Sequence, residues 1–192
     1  MRYAFTLVLA LALSSCALTQ KGEALSIRYF TPEHVRPQLT GADRPEKQKE
    51  LRLGRVTSGV HLREPIAYRR GTFEIGYYDG LRWTERPELY VRRALTRTLF
   101  EEHAFERASD APTLDVEIVS FEEVKTRELH AARIVTRIVL STDRVILEDT
   151  MEVVEPVARD APIEYFVAAM ARALDAMSDR IAKRVGDALP TR

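Results

Sequence analysis

The chain has 192 residues, 45% of them hydrophobic and 30% charged, with 29 basic side chains set against 29 acidic ones and a single cysteine. A near-neutral balance argues against nucleic acid as the main partner, and one cysteine excludes a disulfide framework within the chain. The length suits one domain with its own core, and mixed charge such as Glu85-Arg86 and Arg127-Glu128 reads as solvated surface.

The N-terminus reads as a sorting signal. Met1 to Ser15 carries one charge, Arg2, followed by the apolar run Ala4 to Leu13, which is shorter than the roughly 20 residues a transmembrane helix needs. A basic start, a brief apolar stretch and small residues at its end are the features of a secretory signal peptide. The sequence Leu13-Ser14-Ser15-Cys16 resembles the lipobox of bacterial lipoproteins, an aliphatic residue and two small ones before a thiol. That resemblance implies cleavage between Ser15 and Cys16 and a diacylglyceryl group on the Cys16 sulfur. Residues 1–15 are then a signal peptide, 16–25 a lipidated N-terminus and tether, and 26–192 the periplasmic domain. Ala17 stands where an aspartate would resemble an inner-membrane retention signal, so the expected location is the outer membrane.

In chain order, Ser26 to Phe30 is a predicted strand, and Thr31 to Glu50 is a proline- and charge-rich excursion. From Leu51 the pattern has period two, with Leu51 and Leu53 on one face and Arg52, Gly54 and Val56 on the other. Ile66 to Arg69 and Phe73 to Tyr78 suggest a hairpin turning at Arg70-Gly71. Leu89 to Glu102 predicts an amphipathic helix with Pro87 in its first turn, Thr84 as its cap, and an ion pair between Arg97 and Glu101. Thr113 to Glu122, Arg133 to Thr142 and Val145 to Val154 alternate as half-buried strands, the last two joined as an antiparallel hairpin through Ser141 to Arg144. Val145, Leu147, Met151 and Val153 are expected on one face. The final helix carries an apolar stripe from Ile163 to Leu189, with Asp160 as its cap and Pro162 in the first turn. The order predicts an α+β fold, a two-layer sandwich in which two main helices pack on one face of an antiparallel or mixed β-sheet.

No chemistry converges in the sequence. There is no nucleophile elbow, phosphate loop or dinucleotide fingerprint. His34, His61, His103 and His130 form no ligand pair and read as surface residues, and the adjacent acids Glu101-Glu102 and Glu122-Glu123 point apart on a helix or strand. The expectation is a protein that is not an enzyme, with no metal and no cofactor beyond lipid on Cys16. One cluster stands out: Tyr68, Phe73, Tyr77, Tyr78, Trp83 and Tyr90, interleaved with Arg69, Arg70, Arg82 and Arg86. It reads either as a core with Trp83 at a strand–helix junction, or as an interface in which Tyr77, Tyr78, Arg82 and Trp83 meet a partner or ligand.

At this span the sequence is similar to the ABC-type transport auxiliary lipoproteins, the family that includes the paraquat-inducible lipoprotein of MCE-type lipid transport systems. The residues that carry the likeness are Leu62, Pro65-Ile66, Tyr68-Arg69, Tyr77-Tyr78, Arg82-Trp83 and Pro87, running into the helix with Leu95 and Leu99. The resemblance implies a periplasm-facing outer-membrane lipoprotein without ATPase activity, which docks an MCE-domain protein served by an inner-membrane ABC transporter as phospholipid or another hydrophobic substrate moves between membranes. It also implies a possible homo-oligomer, and it carries over no catalytic residue. The rival reading is an envelope lipoprotein that binds or activates a peptidoglycan synthase or a secretion complex.

Overall fold

The computed structural model describes residues 25–34, 49–103 and 105–190. The predicted signal peptide, Cys16, nearly all of the tether and much of the 31–50 excursion lie outside these residues. Eight strands are described: β1 (Arg28–Phe30), β2 (Lys49–Ser58), β3 (Pro65–Arg69), β4 (Ile75–Trp83), β5 (Phe105–Arg107), β6 (Thr113–Lys125), β7 (His130–Ser141) and β8 (Val145–Pro156). Two helices join them, α1 (Pro87–Arg97), which runs on into a π-helical turn over Thr98–Glu102, and α2 (Ile163–Ala188).

The sheet is organised around β6. Along one edge it pairs antiparallel with β7 from Thr113↔Ser141 to Lys125↔His130, and β7 pairs antiparallel with β8. Its other edge is divided between two parallel neighbours, β2 from Arg52↔Thr113 to Ser58↔Ile118 and β3 from Ala67↔Glu122 to Arg69↔Val124. Strand β4 then pairs antiparallel with β3, β1 lies parallel on β4, and β5 lies parallel on β2. The result is a mixed sheet with two helices, the expected α+β sandwich.

Alternation dictates what each face carries, because successive strand residues point to opposite sides. Leu114, Val116, Ile118, Ile134, Thr136, Ile138, Leu140, Leu147, Met151 and Val153 are buried toward the helices. The stripe of α2 that meets them, Phe166, Met170, Leu174, Met177, Ile181 and Val185, is buried as its spacing requires. Trp83 sits where the strands meet the helices, its ring 5.5 Å from Phe121, 5.9 Å from Phe166 and 6.4 Å from Tyr90. Polar clamps hold α2 along its length: Arg172 on Glu155 (3.3 Å), Arg184 on Asp149 (2.8 Å), and Lys49 donating to the carbonyls of Gly186 (2.5 Å) and Leu189 (2.9 Å). A cation on those last carbonyls also complements the helix dipole. No described helix is long and apolar enough to cross a membrane.

Several local expectations need correction. Val56 joins Leu51 in the core, because between the pairs Leu53↔Leu114 and Val56↔Val116 two residues of β2, Gly54 and Arg55, stand opposite the single Asp115 on β6; this bulge resets the alternation. Thr84 does not cap α1. Arg86 stands at that position without a side-chain cap bond, and the Thr84 hydroxyl is hydrogen-bonded to the Tyr90 hydroxyl (2.7 Å). Arg97 meets Glu102 (3.2 Å) and Asp175 (3.0 Å) rather than Glu101, since a π-helical turn brings the fifth residue, not the fourth, beneath it. Asp160 adopts φ 58° in the turn before α2, and Pro162 holds the cap position. Val145 is 58% exposed at the tip of its hairpin. The three-residue strand β5 was too short to leave a periodic signal.

Candidate functional site

The β3–β4 hairpin carries most of the aromatic cluster. Gly76 faces Tyr68 across the pair, and a Cβ there would lie 2.5 Å from the Tyr68 ring, so glycine is what lets that ring fold over the strand. Tyr68 also packs on Tyr78 with ring centroids 4.9 Å apart. At the other end of β4, a Cβ on Gly80 would stand 2.9 Å from the Ser26 carbonyl oxygen, so this glycine admits the chain entering β1.

The four candidate contact residues separate in space. Trp83 is 1% exposed and belongs to the core. Arg82 is half-buried and donates to the backbone carbonyls of Tyr78 (2.7 Å) and Leu81 (3.0 Å), bracing its own strand. The Tyr78 hydroxyl donates to the Glu123 carboxylate and accepts from Lys125 Nζ at 2.7 Å. Burial, and then the hydrogen bond to Glu123 and its charge, push the Tyr78 hydroxyl well above the ordinary tyrosine range, so it keeps its proton. Tyr77 is exposed and donates to the His61 carbonyl at 3.0 Å.

The adjacent acids on β6 do point apart, and both are buried. Glu123, 2% exposed, faces the helix side and also contacts His130 Nε2 at 2.7 Å. His130 is thus not the surface residue the sequence suggested: its side chain is 8% exposed. Pairing of β6 with β7 places it directly across from Lys125, beside Glu123. Glu122, fully buried on the opposite face, receives both Nε (2.7 Å) and Nη2 (3.2 Å) of Arg69, and Arg133 adds a contact at 3.3 Å. Burying a carboxylate is costly unless it is paired and hydrogen-bonded, and both acids meet that condition. His103 contacts Asp179 at 3.3 Å. Among the described residues, no three His, Cys, Asp or Glu side chains are placed to hold a metal ion.

The face of β6, β7 and β8 turned away from the helices has a different character. Arg133 bonds Glu152 (2.6 Å), Arg137 bonds Glu148 (2.6 Å) and lies 3.6 Å from Glu117, and Arg55 lies 4.0 Å from Asp115. Exposed Val119, Ile146 and Val154 stand among these charges. A shallow groove of about 400 Å3 crosses the face between Arg55, Asp115, Glu117, Arg137 and Val139. The sequence showed these residues as alternating charges on strands. It could not show that no described helix covers them.

Comparison with known proteins gives the fold and the family. No curated protein matches the chain significantly. The solved structure of protein XCC0632 from Xanthomonas campestris is similar at 18% identity and a TM-score of 0.67, covering 84% of this chain and 95% of that one. That of an uncharacterised protein is similar at 15% identity and a TM-score of 0.62, covering 83% and 99%. At such identities the likeness is one of fold. A family model matches residues 36–182, from ahead of β2 to deep in α2, and its Pro65-to-Pro87 segment holds the hairpin, Trp83 and the start of α1. The chain belongs to the family of ABC-type transport auxiliary lipoprotein components.

Proposed function

We propose that the protein is a non-catalytic, outer-membrane lipoprotein of an ABC/MCE-type transenvelope system for phospholipids or other hydrophobic substrates, and that it docks the MCE-domain component through the helix-free face of its sheet. The observation that carries this reading is the family match over residues 36–182, which associates the chain with an ABC-type transport system. The MCE partner, the outer membrane and possible homo-oligomerisation go further than that match and rest on the sequence resemblance. Removal of residues 1–15 and acylation of Cys16 would fix one end of the chain at a membrane. A tether of some ten residues would then hold the domain near it and raise the effective concentration for a partner arriving from the inner membrane, so a weak interface would suffice.

Two features of the geometry agree with docking. The buried carboxylates are held by arginine, lysine, tyrosine and histidine, contacts that suit a structural task. The helix-free face offers a broad surface of exposed aliphatics and charges, the mixture that interface rims and cores use.

The test is affinity capture of the lipidated chain from gently solubilised envelopes, with and without Cys16→Ala. The expected result is recovery of an MCE-domain protein with ABC transporter subunits, and loss of membrane attachment and function in the Cys16 variant. Recovery of wall-synthesis or secretion proteins in their place would favour the rival reading, and normal attachment of the Cys16 variant would remove the anchor.

A further inference from the structure

Two grooves of similar size differ in what lines them. The groove on the helix-free face, about 400 Å3, contains Arg55 and Arg137 together with Asp115 and Glu117, so its cations are neutralised from within. The second groove, about 460 Å3, lies between α1, β2 and the chain leaving β5. Its lining includes Arg52, Arg92 and Arg107 and no aspartate or glutamate.

None of these three arginines makes an ion pair among the described residues. Arg52 Nε donates to the Thr113 hydroxyl (2.9 Å), Arg92 donates to the Gly54 carbonyl (3.0 Å), and Arg107 lies over the Phe100 ring at 4.5 Å. Elsewhere on the surface, Arg28, Arg86, Arg93, Arg137, Arg172 and Arg184 each meet a carboxylate, while Arg63 and Arg180 stand singly on backbone carbonyls; the groove differs in bringing three such arginines together. The lining of the groove also has an apolar part: Leu51 is fully buried, Phe100 nearly so, and Leu53 packs against the core.

Three guanidinium groups around one concavity, each bearing N–H donors not taken by an acid, match the several oxygens of a phosphate better than the two of a carboxylate. The volume falls in the range of small-molecule sites, and the half-buried Leu53 with the arginine stems offers hydrocarbon a contact beside the cations. We infer that this groove binds a phosphate group borne on an apolar body, the phosphate held by Arg52, Arg92 and Arg107 and the apolar part lying on the half-buried Leu53 and the hydrocarbon stems of the arginines. An anionic lipid presents that chemistry, as does a small soluble organophosphate. The inference deepens the transport reading only in the lipid case. It concerns a surface other than the docking face and is tested without any partner, so the two can fail separately.

The test uses the full lipidated chain in a neutral detergent, titrated with dihexanoyl phosphatidic acid, dihexanoyl phosphatidylcholine and glycerol phosphate, and followed by the amide resonances of Ala108 and Ser109 in the groove lining. Phosphatidic acid should bind, and should do so about tenfold more tightly than phosphatidylcholine, whose choline brings a cation to an arginine cluster, a difference of one charge-assisted hydrogen bond. Arg107→Glu and Arg52→Gln should each weaken phosphatidic acid binding by about tenfold on the same grounds. Arg137→Glu, in the self-neutralised groove, should leave it unchanged. Glycerol phosphate binding as tightly as phosphatidic acid would overturn the apolar half of the inference and assign a soluble phosphate. Equal weak binding of all three probes, or equal loss in the Arg137 variant, would overturn it entirely.

Discussion

The two faces of the sheet carry out different work with the same strands. Toward the helices, Ile134, Ile138 and Leu140 are fully buried and their partners on α2 complete a continuous aliphatic and aromatic core. On the other face, the intervening residues Arg133 and Arg137 reach across to Glu152 and Glu148, and most of what they touch is solvated. Burial of apolar area is what stabilises the fold, whereas exposed ion pairs each contribute little. The inner face is therefore constrained by packing, and the outer face is comparatively free to be shaped by a partner.

The largest effect should come from the inner face. Trp83→Ala removes the side chain on which Phe121, Phe166 and Tyr90 converge, and is expected to cost about 3–5 kcal/mol in urea unfolding. The outer face has one site of comparable sensitivity, the fully buried Glu122. Arg69→Met leaves that carboxylate with Arg133 alone and should cost about 3 kcal/mol. Adding Glu122→Gln to Arg69→Met should recover much of the loss, because the unpaired buried charge is gone; a further loss in the double variant would show that Glu122 does more than balance Arg69.

A smaller effect belongs to the rim where the faces meet. Tyr78→Phe deprives Glu123 of a donor and should cost about 1–3 kcal/mol. Because burial and Glu123 raise the Tyr78 hydroxyl above its ordinary value, the native state holds this proton more tightly than the unfolded chain. Its contribution is complete below the unfolded value, about 10, and declines as the pH rises from there toward the folded one. The wild type should therefore lose stability in alkali more steeply than Tyr78→Phe, and parallel profiles would contradict the assignment.

The same contrast explains what the sequence disclosed. The meander β6 to β8 and the stripe of α2 repeat over ten or more residues, long enough for period two or the helical period to stand out, and their faces follow directly. The N-terminal half breaks its own periods. Bulging at Gly54 and Arg55 returns Val56 to the core, the π-helical turn passes Arg97 from Glu101 to Glu102, and β2 and β3 share one edge of β6, a topology that no local pattern encodes. The aromatic cluster was legible as a group, but its division was not. Whether Trp83 or Tyr77 faces solvent depends on the register of β4 against β1 and β3. The ring of contacts around Glu123 joins residues on β4, β6 and β7, and its only sequence trace was a pair of adjacent acids. The arginine-lined groove likewise draws its cations from β2, α1 and β5.

The central claim is docking through the helix-free face, and single-cysteine mapping in the captured complex tests it most directly. The chain has one cysteine of its own, Cys16, which lipid would block, so Thr150→Cys on the outer face and Lys183→Cys on the exposed side of α2 can each report maleimide access. The expected result is that Thr150→Cys is shielded when the MCE-domain protein is bound while Lys183→Cys still labels at its free rate. Shielding at Lys183→Cys with Thr150→Cys left open would place the partner on the helices and contradict the account.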